Sequence, residues 1–312
     1  MRLSAFDCVH RGLVNLRANW ELVCIQWLQI VIATVLTIVG FLPPLAALGF
    51  STAEAFDSTP SDWPALFSSA YGLVERAREG WVVLLVSLLV SSAIWMIAAL
   101  VYCYFQGGIF GVLMAADRQA PLGAPKAWRW FRTFSSRDLR GWASRYLWRY
   151  FLLLNLFMLI STIWLFLPVL LILLVVWGND LWGGTAAFGI GCGGVIPIAF
   201  SLLVVALWSN LAKAELARGE STVMAATRRS LNLLGRRLGA VLIMFCAVIV
   251  ISVLIGLGFS MVSSIASLAL RNSMALQIGG QAVLSLVELL ITGALGLVWS
   301  AALIALIRSE AA

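Results

Sequence analysis

Apolar and polar positions alternate on a coarse scale along this chain. Six long apolar segments, approximately 22–49, 81–105, 150–177, 185–208, 238–268 and 275–307, are separated by short polar stretches. Each exceeds the ~20 residues needed to cross the ~30 Å hydrocarbon core of a bilayer. Surplus length is absorbed by tilt, kinks or extension beyond the hydrocarbon. Pro43-Pro44, Pro168 and Pro197 are the positions where a kink or a helix end is expected.

A second pattern sits on the first. Three of the segments are preceded by a short amphipathic stretch that fits one gap-free template. Phe6, Val9, Leu13 and Leu16 are spaced i, i+3, i+7, i+10, as are Ala124, Ala127, Phe131 and Phe134, and Met224, Thr227, Leu231 and Leu234. An arginine stands two residues before the third position in each: Arg11, Arg129 and Arg229. The spacing predicts three interfacial helices with apolar faces toward lipid or the bundle and arginines toward headgroups. Ser4 with Asp7 forms a capping-box signature for the first. Pro121 and Pro125 suit the start of the second. Ser221 or Thr222 caps the third and Gly235 ends it. The second carries the aromatic run WRWFRTF, with Arg129 and Arg132, and Trp142, Tyr146, Trp148 and Tyr150 extend an interfacial belt.

The expected fold class is therefore all-α: a polytopic membrane protein with six transmembrane helices in three repeated units of interfacial helix plus two spans. Residues 1–312 form a single bundle, with internal units 1–118, 119–220 and 221–312. Residues 62–79 predict a short helix in the one sizeable loop, 50–80.

Composition agrees. Hydrophobic residues make up 62% of the chain and charged residues 11%, whereas soluble domains carry about 25% charged residues. Of 21 lysines and arginines, 18 fall on one side of the predicted topology; only Arg76, Arg78 and Arg271 fall on the other. The positive-inside rule puts both termini in the cytoplasm. The net charge of +7 then points to anionic lipid headgroups rather than nucleic acid. Segment one reads as its own uncleaved insertion signal. The five cysteines, Cys8, Cys24, Cys103, Cys192 and Cys246, form no CxxC or paired spacing and read as small buried hydrophobes.

The run 207–245, LWSNLAKAELARGESTVMAATRRSLNLLGRRLGAVLIMF, carries Ala226, Arg229, Ser230, Leu231 and Arg236 in an Ala-x-x-Arg-Ser-Leu pattern followed by a basic turn. It resembles a stretch shared by a broad group of bacterial six-span membrane proteins, which includes the membrane domain of some glycerophosphodiester phosphodiesterases. The resemblance implies a six-span fold and a bacterial inner membrane, and carries over no catalytic residues.

One stripe holds the candidate chemistry. Gln277, Gln281, Ser285, Glu288 and Thr292 follow one face of the sixth span, and Glu288 is the only acid deep within a span. Ionisable groups in the hydrocarbon are costly and mark functional sites by default. Ser252, Gly256, Ser260, Ser263 and Ser267 have matching spacing on the fifth span, and antiparallel packing would face the two stripes. Glu288 is then either a proton or cation acceptor in a polar pathway, or part of hydrogen-bonded packing in which it is protonated or meets a partner subunit. GIGCGG at 189–194 matches G-x-G-x-x-G by letter but lies inside an apolar span with no βαβ unit; it is read as packing. His10 is the only histidine, and no hydrolase, zinc or nucleotide motif accompanies it. The expectation is a non-enzymatic membrane scaffold or accessory subunit, with a membrane or cytoplasmic protein partner and no cofactor or metal. The alternative is a transporter or channel for a small or lipidic solute along the Glu288 stripe.

Overall fold

Runs of Leu, Val, Ile and Ala without internal charge favour helix once the backbone must satisfy its own hydrogen bonds in lipid. The computed structural model describes residues 3–47, 80–121, 128–182, 184–219, 222–269 and 274–311. Among these it holds seven α-helices: α1 (Ala5–Ala18), α2 (Glu21–Ala47), α3 (Trp81–Gln119), α4 (Ser136–Trp182), α5 (Gly184–Leu216), α6 (Val223–Ala269) and α7 (Met274–Ala311). One 3-10 turn occupies Trp128–Phe131. Six of the helices, α2 to α7, are long and apolar enough to cross a membrane. The molecule is an all-α polytopic membrane protein. The loop 50–79, with its expected helix, lies outside the described residues.

Several helices exceed the apolar runs that seeded them. Pro43, Pro44, Pro168 and Pro197 all fall inside helices rather than at their ends. The glycine run 189–194 is helical as well, so it forms no phosphate-binding loop.

The described chain divides into two compact units. One comprises Met1–Trp27 with Cys103–Ala312, the other Leu28–Tyr102. In the smaller unit, Phe41 and Trp95 meet edge to face with centroids 4.9 Å apart. Trp95 Nε1 donates to the Thr37 carbonyl at 3.4 Å.

In the larger unit, α7 is the central post. In its apolar window 61% of residues are buried, against 11–28% in the other five spans. Leu297 to Ile307 are buried without interruption. Elsewhere large side chains such as Leu152, Phe166, Leu254 and Val283 are exposed, which suits surfaces solvated by lipid tails. Small residues set the closest crossings. A Cβ on Gly12 of α1 would lie 2.7 Å from the Val298 carbonyl of α7. On α3, a Cβ on Gly111 would come within 2.5 Å of the Trp142 side chain of α4, and one on Gly108 within 3.0 Å of the Leu139 carbonyl.

The three template segments take three different forms. The first is a discrete helix, α1, with the expected capping box: Asp7 N–H donates to Ser4 Oγ at 3.2 Å, and Ser4 N–H and Oγ donate back to the Asp7 carboxylate. The second is not an α-helix where it is described. Trp128–Phe131 is a single 3-10 turn and residues 132–135 are non-helical; Ala124 and Ala127 lie outside the described residues. The third is the start of α6, separated from the span by a break at Arg237 (φ −128°, ψ 23°), two residues beyond the expected end at Gly235. Thr222 caps it, accepting from Ala225 N–H at 3.3 Å.

Candidate functional site

The polar residues of the larger unit concentrate at the end where α1 meets the end of α7. The largest correction lies here. Arg11, expected to face headgroups, is 8% exposed. Its Nε donates to Asp117 Oδ1 at 2.5 Å, and its other nitrogens donate to the carbonyls of Asp117, Ala120 and Pro121 at 2.9–3.2 Å. The guanidinium also lies over the Phe131 ring, 5.0 Å from its centroid. On the other side of the helix, Phe6 and Leu13 point outward, 71% and 48% exposed. Arg11 and Asn15 are thus turned into the protein together with Leu16, while Phe6 and Leu13 face outward and Asp7, His10 and Arg17 stay exposed. Polar groups held away from water need partners of this kind.

Asp117 accepts a second arginine on its other oxygen, Arg308 Nη1 at 3.2 Å, which also donates to the Ala120 carbonyl at 2.8 Å. Asn19, just after α1, organises the neighbouring turn. Its Nδ2 donates to the Phe131 carbonyl at 2.7 Å, and its Oδ1 accepts from Thr133 and Phe134 N–H at 3.1 and 2.9 Å. Asn15 Nδ2 donates to the Leu113 carbonyl at 3.1 Å. Arg132 also has internal partners, an ion pair with Glu21 and the Ala18 carbonyl. Arg129 and Arg229 are exposed.

The remaining helix ends are tied in the same way. Tyr150 Oη donates to the Lys213 carbonyl at 2.8 Å and Tyr146 Oη to the Ala217 carbonyl at 3.4 Å. Trp208 Nε1 donates to the Thr227 carbonyl at 3.0 Å and to Ser230 Oγ at 3.1 Å. Arg237 Nε donates to Glu310 Oε1 at 2.7 Å, joining the α6 break to the end of α7. Sequence reading missed Asp117, Asn15, Asn19 and Glu310 as partners.

The α6–α7 stripe is a second, separate feature. Gly256, Phe259, Ser260, Ser263 and Ser264 of α6 and Leu284, Ser285 and Glu288 of α7 line a cleft of about 230 Å³. The two stripes therefore meet over part of their length. Gln281 and Thr292 are exposed and outside the lining; the side chains of Gln277 and Ser267 lie outside the described residues. Ser264 turns its hydroxyl back onto the Ser260 carbonyl at 2.8 Å, and Ser252 does the same to Val248 at 2.9 Å. Among the described residues, no cation or hydrogen-bond donor reaches the Glu288 carboxylate. Glu288 itself is exposed.

The cysteines divide. Cys8 and Cys103 are buried, whereas Cys24 and Cys246 are exposed on helix surfaces, contrary to the buried expectation. A thiol is apolar enough for a lipid-facing position. The Cys192 side chain lies outside the described residues. Burial pushes the Cys8 thiol up to about 12.

No protein-family model, curated protein or solved structure matches the chain.

Proposed function

We propose that this protein is a non-enzymatic integral membrane scaffold or accessory subunit whose α6–α7 cleft receives a transmembrane helix of a partner protein. One observation carries the reading: a carboxylate within a span, beside four serines and a glycine, that has no internal partner among the described residues. Such a group is costly against lipid. A partner helix bringing a basic or amide side chain to Glu288 removes that cost, and small residues let it approach closely. The charge bias of 18 in 21 basic residues supports a bacterial inner membrane with both termini in the cytoplasm.

The test places a photo-crosslinking residue at Ser285 in cells and identifies the captured peptide by mass spectrometry. The expected product is a transmembrane segment carrying Lys, Arg, His, Asn or Gln, lost in Glu288→Leu. Capture of lipid alone overturns the reading. The transport alternative is favoured instead if reconstituted protein carries a solute and Glu288→Gln stops the flux at unchanged thermal stability.

A further inference from the structure

A different cavity, at the polar end of the larger unit, is walled by three arginines. It measures about 130 Å³ and is lined by Met114, Arg118, Arg218, Ile307 and Arg308. This is far more than the roughly 10–15 Å³ that a single water needs. Met114 and Ile307 are buried and form an apolar floor. The walls come from the end of α3, the turn after α5 and the end of α7.

Donor accounting separates these arginines from Arg11. A guanidinium has five N–H donors. Arg11 uses all three of its nitrogens on internal acceptors. Arg118 makes one bond, Nη2 to the Arg218 carbonyl at 2.9 Å. Arg218 makes one, Nη1 to Glu215 at 3.4 Å. Arg308 engages through Nη1 alone. Most of the donors on the three lining residues are therefore uncommitted within the described chain.

The charges point the same way. Asp117 is shared between Arg11 and Arg308, Glu215 serves Arg218, and among the described residues no carboxylate pairs with Arg118. Four guanidiniums thus face two carboxylates. A phosphate group supplies the missing negative charge and the planar, multidentate acceptors that arginine prefers.

We propose that the cavity bounded by Arg118, Arg218 and Arg308 is a phosphate-binding site. The phosphate can belong to an anionic lipid headgroup or be free, and the test distinguishes the two. Full-length protein in neutral detergent is titrated calorimetrically with short-chain phosphatidylglycerol, inorganic phosphate and a short-chain diacylglycerol that lacks phosphate. Arg118→Gln and Arg218→Gln are compared with Arg140→Gln, an exposed arginine outside the cavity.

Saturable binding of phosphatidylglycerol, weakened about tenfold by either cavity variant and little changed by Arg140→Gln, supports a headgroup site. Binding of inorganic phosphate with the same arginine dependence, and none of the lipid, supports a free-phosphate site. Three results overturn the proposal: no saturable binding of either phosphate probe, equal binding of the diacylglycerol, or equal losses in all three variants. Each cavity variant removes few internal bonds, and if one fails to fold the other carries the test.

Discussion

Arg11 and Arg308 are held on opposite oxygens of one buried carboxylate, that of Asp117, at 2.5 and 3.2 Å. The three residues belong to the first helix, the end of α3 and the end of α7. A single acid thereby joins elements that are remote in sequence. Its burial means that no solvent compensates a missing partner.

Removing Asp117 should therefore cost more than removing either arginine. Breaking a buried pair by deleting one member costs about 3–5 kcal/mol, because it leaves an uncompensated charge. Asp117→Ala strands two guanidiniums, whereas Arg308→Ala leaves the better-hydrogen-bonded Arg11 pair in place. Denaturant titration of Asp117→Ala, Arg11→Ala and Arg308→Ala gives the order. A silent Asp117→Ala would show that the cluster is not structural.

Two helical glycines, Gly111 of α3 and Gly239 of α6, predict a sharp contrast. Gly111→Ala forces a methyl against Trp142 at 2.5 Å and should destabilise by about 1–3 kcal/mol, the usual cost of overpacking. Gly239→Ala, where nothing lies within 4 Å, should be neutral or gain about 0.5–1 kcal/mol from helix propensity. Thermal midpoints of the two variants, measured in the same detergent, check the difference in sign.

Gly219 tests the turn after α5. Its φ is +84°, and an added Cβ would lie 2.6 Å from Tyr146 Oη. Gly219→Ala should cost about 1–3 kcal/mol from backbone strain alone. Tyr146→Phe in the same chain should recover only the steric part. Full recovery in the double variant would show that the φ value is unimportant.

Much of this architecture was legible in the chain. The spans announce themselves because an apolar run longer than the bilayer has few alternatives. The Ser4–Asp7 cap is local, and local rules found it. The meeting of Ser260 and Ser263 with Ser285 and Glu288 followed from matched spacing on consecutive helices. The Arg11–Asp117 pair did not, because an ion pair between distant residues leaves no periodic trace, and arginine on an amphipathic helix reads as a headgroup contact. Residues 128–134 failed for a different reason. Their apolar spacing is helical, but Asn19 captures the Phe131 carbonyl and the Thr133 and Phe134 N–H groups, which an α-helix would need for itself.

Thiol chemistry supplies a pH-dependent prediction. The Cys8 thiol is raised from 9.0 to about 12, mainly by burial. The folded state holds the proton more tightly than the unfolded one, so this contribution is intact below pH 9 and lost as pH climbs toward 12. Stability should fall less steeply over that window in Cys8→Ala than in wild type, as read from paired unfolding curves. Maleimide at neutral pH should spare Cys8 in folded protein and label it after denaturation. Fast labelling of folded protein would contradict its burial.

The close approach of Gly12 to Val298 has a consequence for synthesis. α1 is made well before α7, so Gly12 and Val298 meet only after the intervening helices have been synthesised. Arg11 and Asn15 can reach the end of α3 before then, whereas the Gly12 seam and the second cation on Asp117 wait for α7. A chain stalled before residue 298 would leave α1 bonded to α3 but without its neighbour on α7.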